Sequence, residues 1–210
     1  MAWALKKTVS SVEEYLEFER ASEERHEYID GVILMMAGES DADADICANI
    51  VGELRARLKG TPCRVRTKDT KVRSGFVSPK RLTKGMISYP DILVICGAVE
   101  HHDKHKHVVT NPTVIMEVLS DSTEEFDRIE KFRRYRDWNP TLVDYVLVSQ
   151  DAPFVEHHTK QPDGGWTRYE HRGVEASFNI ASINCELQLV EIYDRIEFPP
   201  DEFEEFNAPQ

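Results

Sequence analysis

The chain has 210 residues, 40% of them hydrophobic and 9% aromatic, which suits one ordinary domain with a sizeable core and excludes a disordered chain. Its formal net charge of −12 at pH 7 argues at first against nucleic-acid binding, because phosphate contacts require lysine and arginine. Residues 1–7 lack the apolar stretch of a signal peptide, and the apolar runs are far shorter than the ~20 residues of a membrane span. A cytoplasmic protein is therefore expected.

Two helices, with strands between and after them, are predicted in the first half of the chain. Ser11 and Glu14 have the spacing of a capping box, and Asp30-Gly31 has the composition of a tight hairpin turn. Apolar residues recur every four positions from Ile46 to Leu58, as on an amphipathic helix. The expected elements are a helix at 11–21, a hairpin at 26–36, a helix at 43–58, and strands near 63–67 and 70–77.

The second half of the chain contains two near-continuous apolar runs, which are typical of central strands covered on both faces. Ser122 and Glu125 form another possible capping box, and Asp163-Gly164-Gly165 suits the turn of an antiparallel hairpin. The expected elements are strands at 91–96 and 112–119, a helix at 123–138, a strand at 142–149, a hairpin of 154–158 and 166–171, and a helix at 189–196.

Together these elements predict a single mixed α/β domain at residues 1–196, followed by an acidic tail at 197–210. The domain is expected to have a mixed central sheet flanked by helices, with β-hairpins added at both ends. An antiparallel β-sandwich that binds a ligand is a weaker alternative, which the helices expected at 43–58 and 123–138 disfavour.

The four cysteines are scattered and include no C-x-x-C pair. This pattern predicts buried thiols in a reducing cytoplasm, with neither a disulfide framework nor a zinc site. The cysteines are Cys47, Cys63, Cys96 and Cys185.

A basic segment at residues 64–84 stands out against the acidic background. Eight basic residues and one acidic residue, Asp69, give it a local charge of +7, so the remainder of the chain carries −19. The segment is either a solvated hairpin and loop or a basic approach that steers a polyanion toward Asp91. The basic residues are Arg64, Arg66, Lys68, Lys71, Arg73, Lys80, Arg81 and Lys84.

Two carboxylates lie at the ends of the two apolar runs. Asp91 follows Pro90 and begins the first run, and Glu117 follows an uncharged stretch of the second. A carboxylate beside apolar residues is costly to bury unless a cation pairs with it. If the two strands are neighbours, both acids can converge on Mg²⁺ or Mn²⁺, which prefer oxygen ligands. The alternative is that each acid lies at a strand end in water.

Lys131 lies on the predicted helix that follows Glu117, one strand-to-helix turn away. It follows Asp127 and precedes Tyr135 by four residues each, so the three side chains share one face of the predicted helix. Lys131 either forms a solvent-facing salt bridge with Asp127, or it orients a water and stabilises a pentavalent transition state.

The order of these motifs resembles the PD-(D/E)XK nuclease superfamily and, more narrowly, the Uma-two family of restriction endonucleases. The resemblance covers roughly residues 10–195. The motifs that carry it are Glu27-Tyr28-Ile29-Asp30-Gly31, Met36-Ala37-Gly38, Pro90-Asp91, Asn111-Pro112, Glu117-Val118-Leu119-Ser120, Lys131 with Tyr135, and Asp144-Tyr145-Val146-Leu147-Val148.

The resemblance implies a restriction-endonuclease-like core and metal-dependent cleavage of DNA. It implies that Asp91 and Glu117 hold Mg²⁺, which Mn²⁺ can replace, with the Val118 carbonyl as a further ligand. Glu27 would complete the acidic cluster, the alternative being a hairpin acid in solvent. Lys131 would supply the catalytic amine. A homodimer is plausible by analogy, because nuclease cores commonly pair to cut both strands.

Two departures from the family pattern matter. Leu119 stands where the superfamily's plain motif has a lysine, so the amine is expected on the following helix, at Lys131. An acidic run of Asp41, Asp43 and Asp45 stands where family members often have a histidine. Leu119 and the negative net charge also motivate an alternative function: a catalytically inactive module on a nuclease fold that binds nucleic acid or protein.

The segment 101–107 contains four closely spaced histidines, His101, His102, His105 and His107. Such spacing can bind a transition metal. No accompanying thiolate or carboxylate arrangement is evident, which favours a loop that becomes cationic at mildly acidic pH and contacts a DNA backbone.

Overall fold

The computed structural model of the protein describes residues 7–8, 11–36, 38–75 and 82–198. Within these ranges the chain forms fourteen strands and five α-helices. The strands are β1 (Lys7–Thr8), β2 (His26–Ile29), β3 (Val32–Met35), β4 (Cys63–Thr67), β5 (Lys71–Ser74), β6 (Met86–Ser88), β7 (Ile92–Cys96), β8 (Val108–Val109), β9 (Val114–Leu119), β10 (Asp144–Ser149), β11 (Phe154–Lys160), β12 (Trp166–Arg172), β13 (Ser177–Ile180) and β14 (Cys185–Gln188).

The helices lie at both ends of the chain and between the central strands. A π-helical segment, Asp127–Lys131, joins α3 to α4, and a 3₁₀ turn occupies Ala181–Ile183. The α-helices are α1 (Val12–Ala21), α2 (Asp41–Arg57), α3 (Glu124–Phe126), α4 (Phe132–Trp138) and α5 (Leu189–Ile192).

The central sheet has the strand order β12-β11-β10-β9-β7-β4. β9 and β10 are parallel, whereas the other neighbouring pairs are antiparallel. β7 pairs with β9 so that Ile92 lies opposite Met116. Because this pairing is antiparallel, the start of β7 and the last half of β9 meet at the same end of the sheet.

Alternate residues of the central strands face two separate cores, as expected of strands covered on both sides. One face packs on α2, α5 and the β13–β14 pair, with Ile50, Met116 and Val146 among its buried side chains. The other face packs on α4 and part of a second sheet, with Ile115 and Leu147 among its buried side chains. This second sheet, which we call the N-terminal sheet, has the order β1-β3-β2-β6-β5-β8.

The predicted mixed α/β fold with added hairpins is confirmed, and the β-sandwich alternative is wrong because α2 alone spans 17 residues. The Ser11 hydroxyl caps α1 by accepting a hydrogen bond from the Glu14 backbone N–H at 3.1 Å. The hairpins at β2–β3 and β11–β12 form where their turn residues indicated.

Three details of the predicted elements are wrong. The helix expected at 123–138 is interrupted by the π-helical segment, where the Phe132 N–H reaches back to the Asp127 carbonyl. Its N-cap is Thr123, whose side chain makes no capping bond, so the Ser122 capping box does not form. The last helix is only four residues long, and Arg195 beyond it has a φ of 63°, a left-handed conformation that stops a helix.

The prediction of four free thiols is also wrong. Cys63 and Cys96 form a disulfide, whereas Cys47 and Cys185 are free and buried. The two bonded cysteines are 33 residues apart in sequence but lie directly opposite each other on β4 and β7, a proximity that only the strand register reveals. The cysteines therefore no longer indicate a reducing compartment, and a cytoplasmic location stays a prediction.

The domain boundaries also stay a prediction. Of the acidic tail expected at 197–210, residues 199–210 lie outside the described residues, as do residues 1–6 at the other end. None of the helices in the described part of the chain has the length and apolar character that a membrane crossing requires.

Candidate metal centre and catalytic site

A cleft of about 490 Å³ lies at the end of the central sheet where β7 begins. The β2–β3 hairpin, the start of α2, the last residues of β9 and the α3–π-helix segment form its walls. Among the described residues that line it are seven carboxylates and three cationic side chains. They are Glu24, Glu27, Glu39, Asp43, Asp91, Glu117 and Asp127, with Arg25, Lys68 and Lys131.

Asp91 and Glu117 lie side by side in this cleft. The Asp91 backbone N–H donates to Glu117 Oε2 at 3.2 Å, and the Val118 backbone N–H donates to Asp91 Oδ2 at 2.7 Å. The antiparallel register of β7 and β9 accounts for this exchange, because the position after Met116 lies opposite the position before Ile92. The two strands are thus neighbours, and their acids converge.

Glu117 is buried, with only 2% of its surface exposed. It lies within β9, which ends at Leu119, as does the strand predicted at 112–119. Burial raises the pKa of Glu117 well above its ordinary value, the nearby Lys131 opposes this rise, and the Asp91 carboxylate adds to it. The Tyr135 hydroxyl donates to Glu117 Oε1 at 3.3 Å.

Lys131 lies inside this acidic cluster and not in solvent. Its Nζ is 3.0 Å from Asp127 Oδ1, 3.4 Å from Glu27 Oε1 and 3.5 Å from Glu117 Oε1. Burial by itself favours the neutral amine, but the three carboxylates outweigh it and raise the pKa of Lys131. The solvent-facing salt bridge with Asp127 is therefore excluded, and Lys131 is a buried ammonium.

Glu27 likewise faces the cleft and not the solvent. Its Oε1 accepts a hydrogen bond from the Tyr89 backbone N–H at 3.2 Å and lies beside Lys131. Only 12% of its side chain is exposed. The structure thus brings together the side chains of Glu27, Asp91, Glu117 and Lys131, together with the Val118 backbone.

Lys68 completes the cleft and was not singled out by the sequence. Its Nζ lies 3.0 Å from Asp43 Oδ1, 3.2 Å from Glu39 Oε2 and 3.5 Å from Asp91 Oδ1. Asp43 belongs to the acidic run of Asp41, Asp43 and Asp45 at the start of α2. The sequence indicated Lys68 only as a member of the basic segment 64–84; its position in the cleft follows from the pairing of Thr67, the last residue of β4, with Ile92.

The pKa of Asp91 is raised to about 6. Burial is the main cause, the Lys68 ammonium opposes it, and the Asp43 carboxylate adds to it. A carboxyl with this pKa is ionised at neutral pH and becomes protonated under mildly acidic conditions.

The basic segment at 64–84 does not form one surface in the described structure. Lys68 enters the cleft, whereas Arg73 is buried and donates to His102 Nε2 at 2.6 Å. Lys84 lies 3.6 Å from Asp30 Oδ2. Lys80 and Arg81 lie outside the described residues. Steering of a polyanion by this segment stays a prediction.

The histidine segment supplies no cluster of three ligand atoms in the described part of the chain. The one such group there consists of Asp43, Cys47 and Asp91, whose ligand atoms lie within 4.8 Å of one another. Burial and the adjacent Arg73 lower the pKa of His102, which disfavours the charged form of this histidine.

The fold is restriction-endonuclease-like, and comparison with known proteins agrees. A crystal structure described as "a putative nuclease belonging to DUF820", from Anabaena variabilis, superposes with a TM-score of 0.70, covering 90% of this chain and 99% of that one. Its sequence identity is 14%, so the likeness concerns the fold alone.

The Uma2 family, described as "Putative restriction endonuclease", matches residues 12–189. The chain therefore belongs to the Uma2 family, a nuclease family by its description. Two uncharacterized proteins of Synechocystis sp. are related: slr1290 is 32% identical, with 90% of this chain and 93% of the relative covered, and sll1609 is 33% identical, with 80% and 90% covered.

Proposed function

We propose that this protein is a metal-dependent endonuclease that hydrolyses phosphodiester bonds in DNA. The observation that carries the proposal is the convergence of Asp91 and Glu117 beside a buried ammonium, Lys131, in one cleft. Membership of the Uma2 family supports a nuclease; the metal requirement and the DNA substrate are the proposed part.

The residues present fit a hard divalent cation. Seven carboxylates against three cations give the described lining a formal charge of −4, which repels a phosphodiester unless further positive charge is bound. Asp91, Glu117 and the Val118 carbonyl would hold Mg²⁺, and Mn²⁺ shares this preference for oxygen ligands. A bound ion of this kind lowers the pKa of a water nucleophile and polarises the scissile phosphate.

Side chains of the protein position Glu117 and Lys131 for the reaction. Tyr135 and the Asp91 backbone fix both oxygens of Glu117. Glu27 and Asp127 hold the Lys131 ammonium next to Glu117, where it can orient the nucleophilic water and offset the negative charge that develops on the phosphate oxygens in the pentavalent transition state. Glu27 is thus assigned to positioning the amine.

Plasmid nicking tests this function directly. With Mg²⁺ or Mn²⁺, the wild-type protein should convert supercoiled DNA to the nicked form. Asp91→Ala and Glu117→Ala should abolish nicking without loss of the fold, as checked by circular dichroism. Glu175→Ala, which removes an exposed acid outside the cleft, is the matched control and should cut normally. A wild-type protein inactive with both ions on supercoiled, linear and single-stranded DNA would refute the proposal.

One observation favours a second function, that of an inactive binding module. Leu119 occupies the position of the superfamily's motif lysine and is buried in the same apolar core as Tyr145 and Leu147, so it supplies no amine to the cleft. A binding module would show salt-dependent DNA binding that Asp91→Ala leaves unchanged, with no cleavage. The proposed homodimer is tested separately, by sedimentation of the protein with and without DNA.

A further inference from the structure

Among the described residues of the cleft are two ammonium groups, each surrounded by its own carboxylates. Lys131 contacts Glu27, Glu117 and Asp127, and these contacts belong to the proposed catalytic site. The other ammonium has a different set of partners: Lys68 contacts Glu39, Asp43 and Asp91. One carboxylate oxygen of Asp91, the proposed metal ligand, therefore lies next to a cationic side chain of the protein, that of Lys68.

The backbone holds Lys68 in this position. Lys68 directly follows β4 and Asp91 directly precedes β7, so the antiparallel pairing of Thr67 with Ile92 places Lys68 and Asp91 opposite each other. Only 13% of the Lys68 side chain is exposed, and both oxygens of Asp43 accept hydrogen bonds from its Nζ, at 3.0 and 3.1 Å. The strand pairing and the two hydrogen bonds to Asp43 thus fix the position of the Lys68 ammonium.

The Lys68 ammonium offsets negative charge on this side of the cleft, because its Nζ lies within 3.5 Å of three carboxylates, those of Glu39, Asp43 and Asp91.

The carboxylates and the thiol around Lys68 are also possible ligands of a metal ion. The ligand atoms of Asp43, Cys47 and Asp91 lie within 4.8 Å of one another, and the Cys47 thiol donates to Asp43 Oδ1 at 3.3 Å. Asp91 would thus be shared between this group and the proposed Mg²⁺ site. In nucleases that use two metals, the ions are about 3.5–4 Å apart and are commonly bridged by a shared ligand.

We propose that Lys68 is a tethered cation that fills the second cation position of the cleft, so that the protein binds a single divalent ion. Lys68 is a positioning residue: it holds Asp91 Oδ1 and supplies the positive charge that a second ion would otherwise bring. The inference rests on the metal site of the proposed function, but it concerns the number of ions and can be tested without DNA.

Removal of the ammonium should open the second position. Wild-type protein, titrated with Mn²⁺ and monitored by electron paramagnetic resonance, should bind one ion per chain, and Lys68→Ala should bind two. Lys68→Gln, which preserves most of the side-chain volume, repeats the test in case Lys68→Ala does not fold. Lys68→Arg keeps the charge and should bind one ion. Lys84→Ala removes an exposed lysine outside the cleft and should also bind one.

Co²⁺ identifies the ligands of the additional ion. Because Cys47 is part of the group, Lys68→Ala with Co²⁺ should develop a near-ultraviolet thiolate-to-cobalt charge-transfer band, which the wild type lacks. Lys68→Ala/Cys47→Ser should lose this band, and Lys68→Ala/Cys185→Ser should keep it.

The possible outcomes separate the two proposals. Equal ion numbers in the wild type, Lys68→Ala and Lys68→Gln would overturn the role of Lys68 while leaving the metal site of the proposed function intact, provided that this number is one. A wild type that binds no ion beside variants that bind one would support Lys68 as the resident cation and contradict the metal site. No ion in any variant would overturn both.

Discussion

Glu117 and Asp144 are buried carboxylates on neighbouring strands, yet their surroundings differ. Asp144, on β10, accepts a hydrogen bond from the Thr159 hydroxyl at 3.0 Å and another from the Ser182 hydroxyl, and His157 Nε2 lies 2.7 Å from Asp144 Oδ1. The contacts of Glu117 are longer: 3.2 Å from the Asp91 N–H, 3.3 Å from the Tyr135 hydroxyl and 3.5 Å from Lys131 Nζ.

The two acids also face opposite sides of the central sheet. Val146, two residues after Asp144, belongs to the core on the α2 face, whereas Ile115, two residues before Glu117, belongs to the core on the α4 face. Asp144 is surrounded by close polar groups of the chain itself, which is how a structural acid is stabilised. Glu117 is open to the cleft and depends on cations for compensation, as expected of an acid that acts on a ligand.

The largest expected effect tests the dependence of Glu117 on a cation. Lys131→Met leaves Glu27, Glu117 and Asp127 buried without their shared ammonium, and should lower the free energy of unfolding by about 3–5 kcal/mol in metal-free protein. Urea unfolding measures this change.

A second substitution provides the control for this prediction. Glu117→Gln removes one of the uncompensated charges, so it should restore part of the stability lost in Lys131→Met. Asp144→Asn should not, because Asp144 pairs with Val114, three residues before Glu117 and roughly 10 Å away along the strand. Simple additivity of Lys131→Met with Glu117→Gln would show that Glu117 does not depend on Lys131.

The next effect concerns the structural acid. Asp144→Ala leaves the buried His157 ring and the less buried hydroxyls of Thr159 and Ser182 without their acceptor, and should lower the free energy of unfolding by about 2–3 kcal/mol. Glu117→Gln alone should change the free energy of unfolding by less than about 1 kcal/mol, or increase it, because the substitution removes a buried charge that is costly to desolvate. Equal destabilisation by the two substitutions in urea would mean that both acids are structural.

The elements with the strongest local patterns were predictable from the sequence. The four-residue apolar spacing placed α2, and the apolar runs placed β7 and β9, within about two residues of their bounds. Strands such as β6 and β8 were not predicted, because segments of three and two residues have no period and exist only through their partners. The π-helical turn at Asp127–Lys131 likewise had no local signal.

The residues of the site likewise include some that were predictable from the sequence and some that were not. Asp91, Glu117, Glu27 and Lys131 were predicted through their motifs, and the structure brings all four into one cleft. The contacts of Lys68 were not predicted, because they follow from the register of β4 on β7, which no single segment encodes. The same register explains the missed disulfide between Cys63 and Cys96.

The smallest expected effect is a pH dependence of the stability of the folded protein. The acids of the cleft should contribute to it differently from Asp144, on the other face of the sheet. The pKa of Asp91 is about 6 in the folded protein, above the value of about 3.9 for an unperturbed aspartate. The folded state therefore binds the proton more tightly, so the stability contributed by this group is full below about pH 4 and is lost as the pH rises through 6. Asp91→Asn should remove this loss from metal-free protein.

Ion binding should show the opposite trend, because a ligand carboxylate must be deprotonated. The affinity for Mn²⁺ should fall at least about tenfold for each pH unit below 6, because both proposed carboxylate ligands have raised pKa values, as measured by calorimetric titration between pH 5 and pH 7. Asp144→Asn should keep this slope, since Asp144 lies on the other face of the sheet and contacts no proposed ligand. A slope that vanishes in Asp144→Asn, or one that is absent from the wild type, would show that the titration of Asp91 does not control the ion. In that case, titration would not distinguish the carboxylates of the cleft, Asp91 and Glu117, from acids that only support the fold.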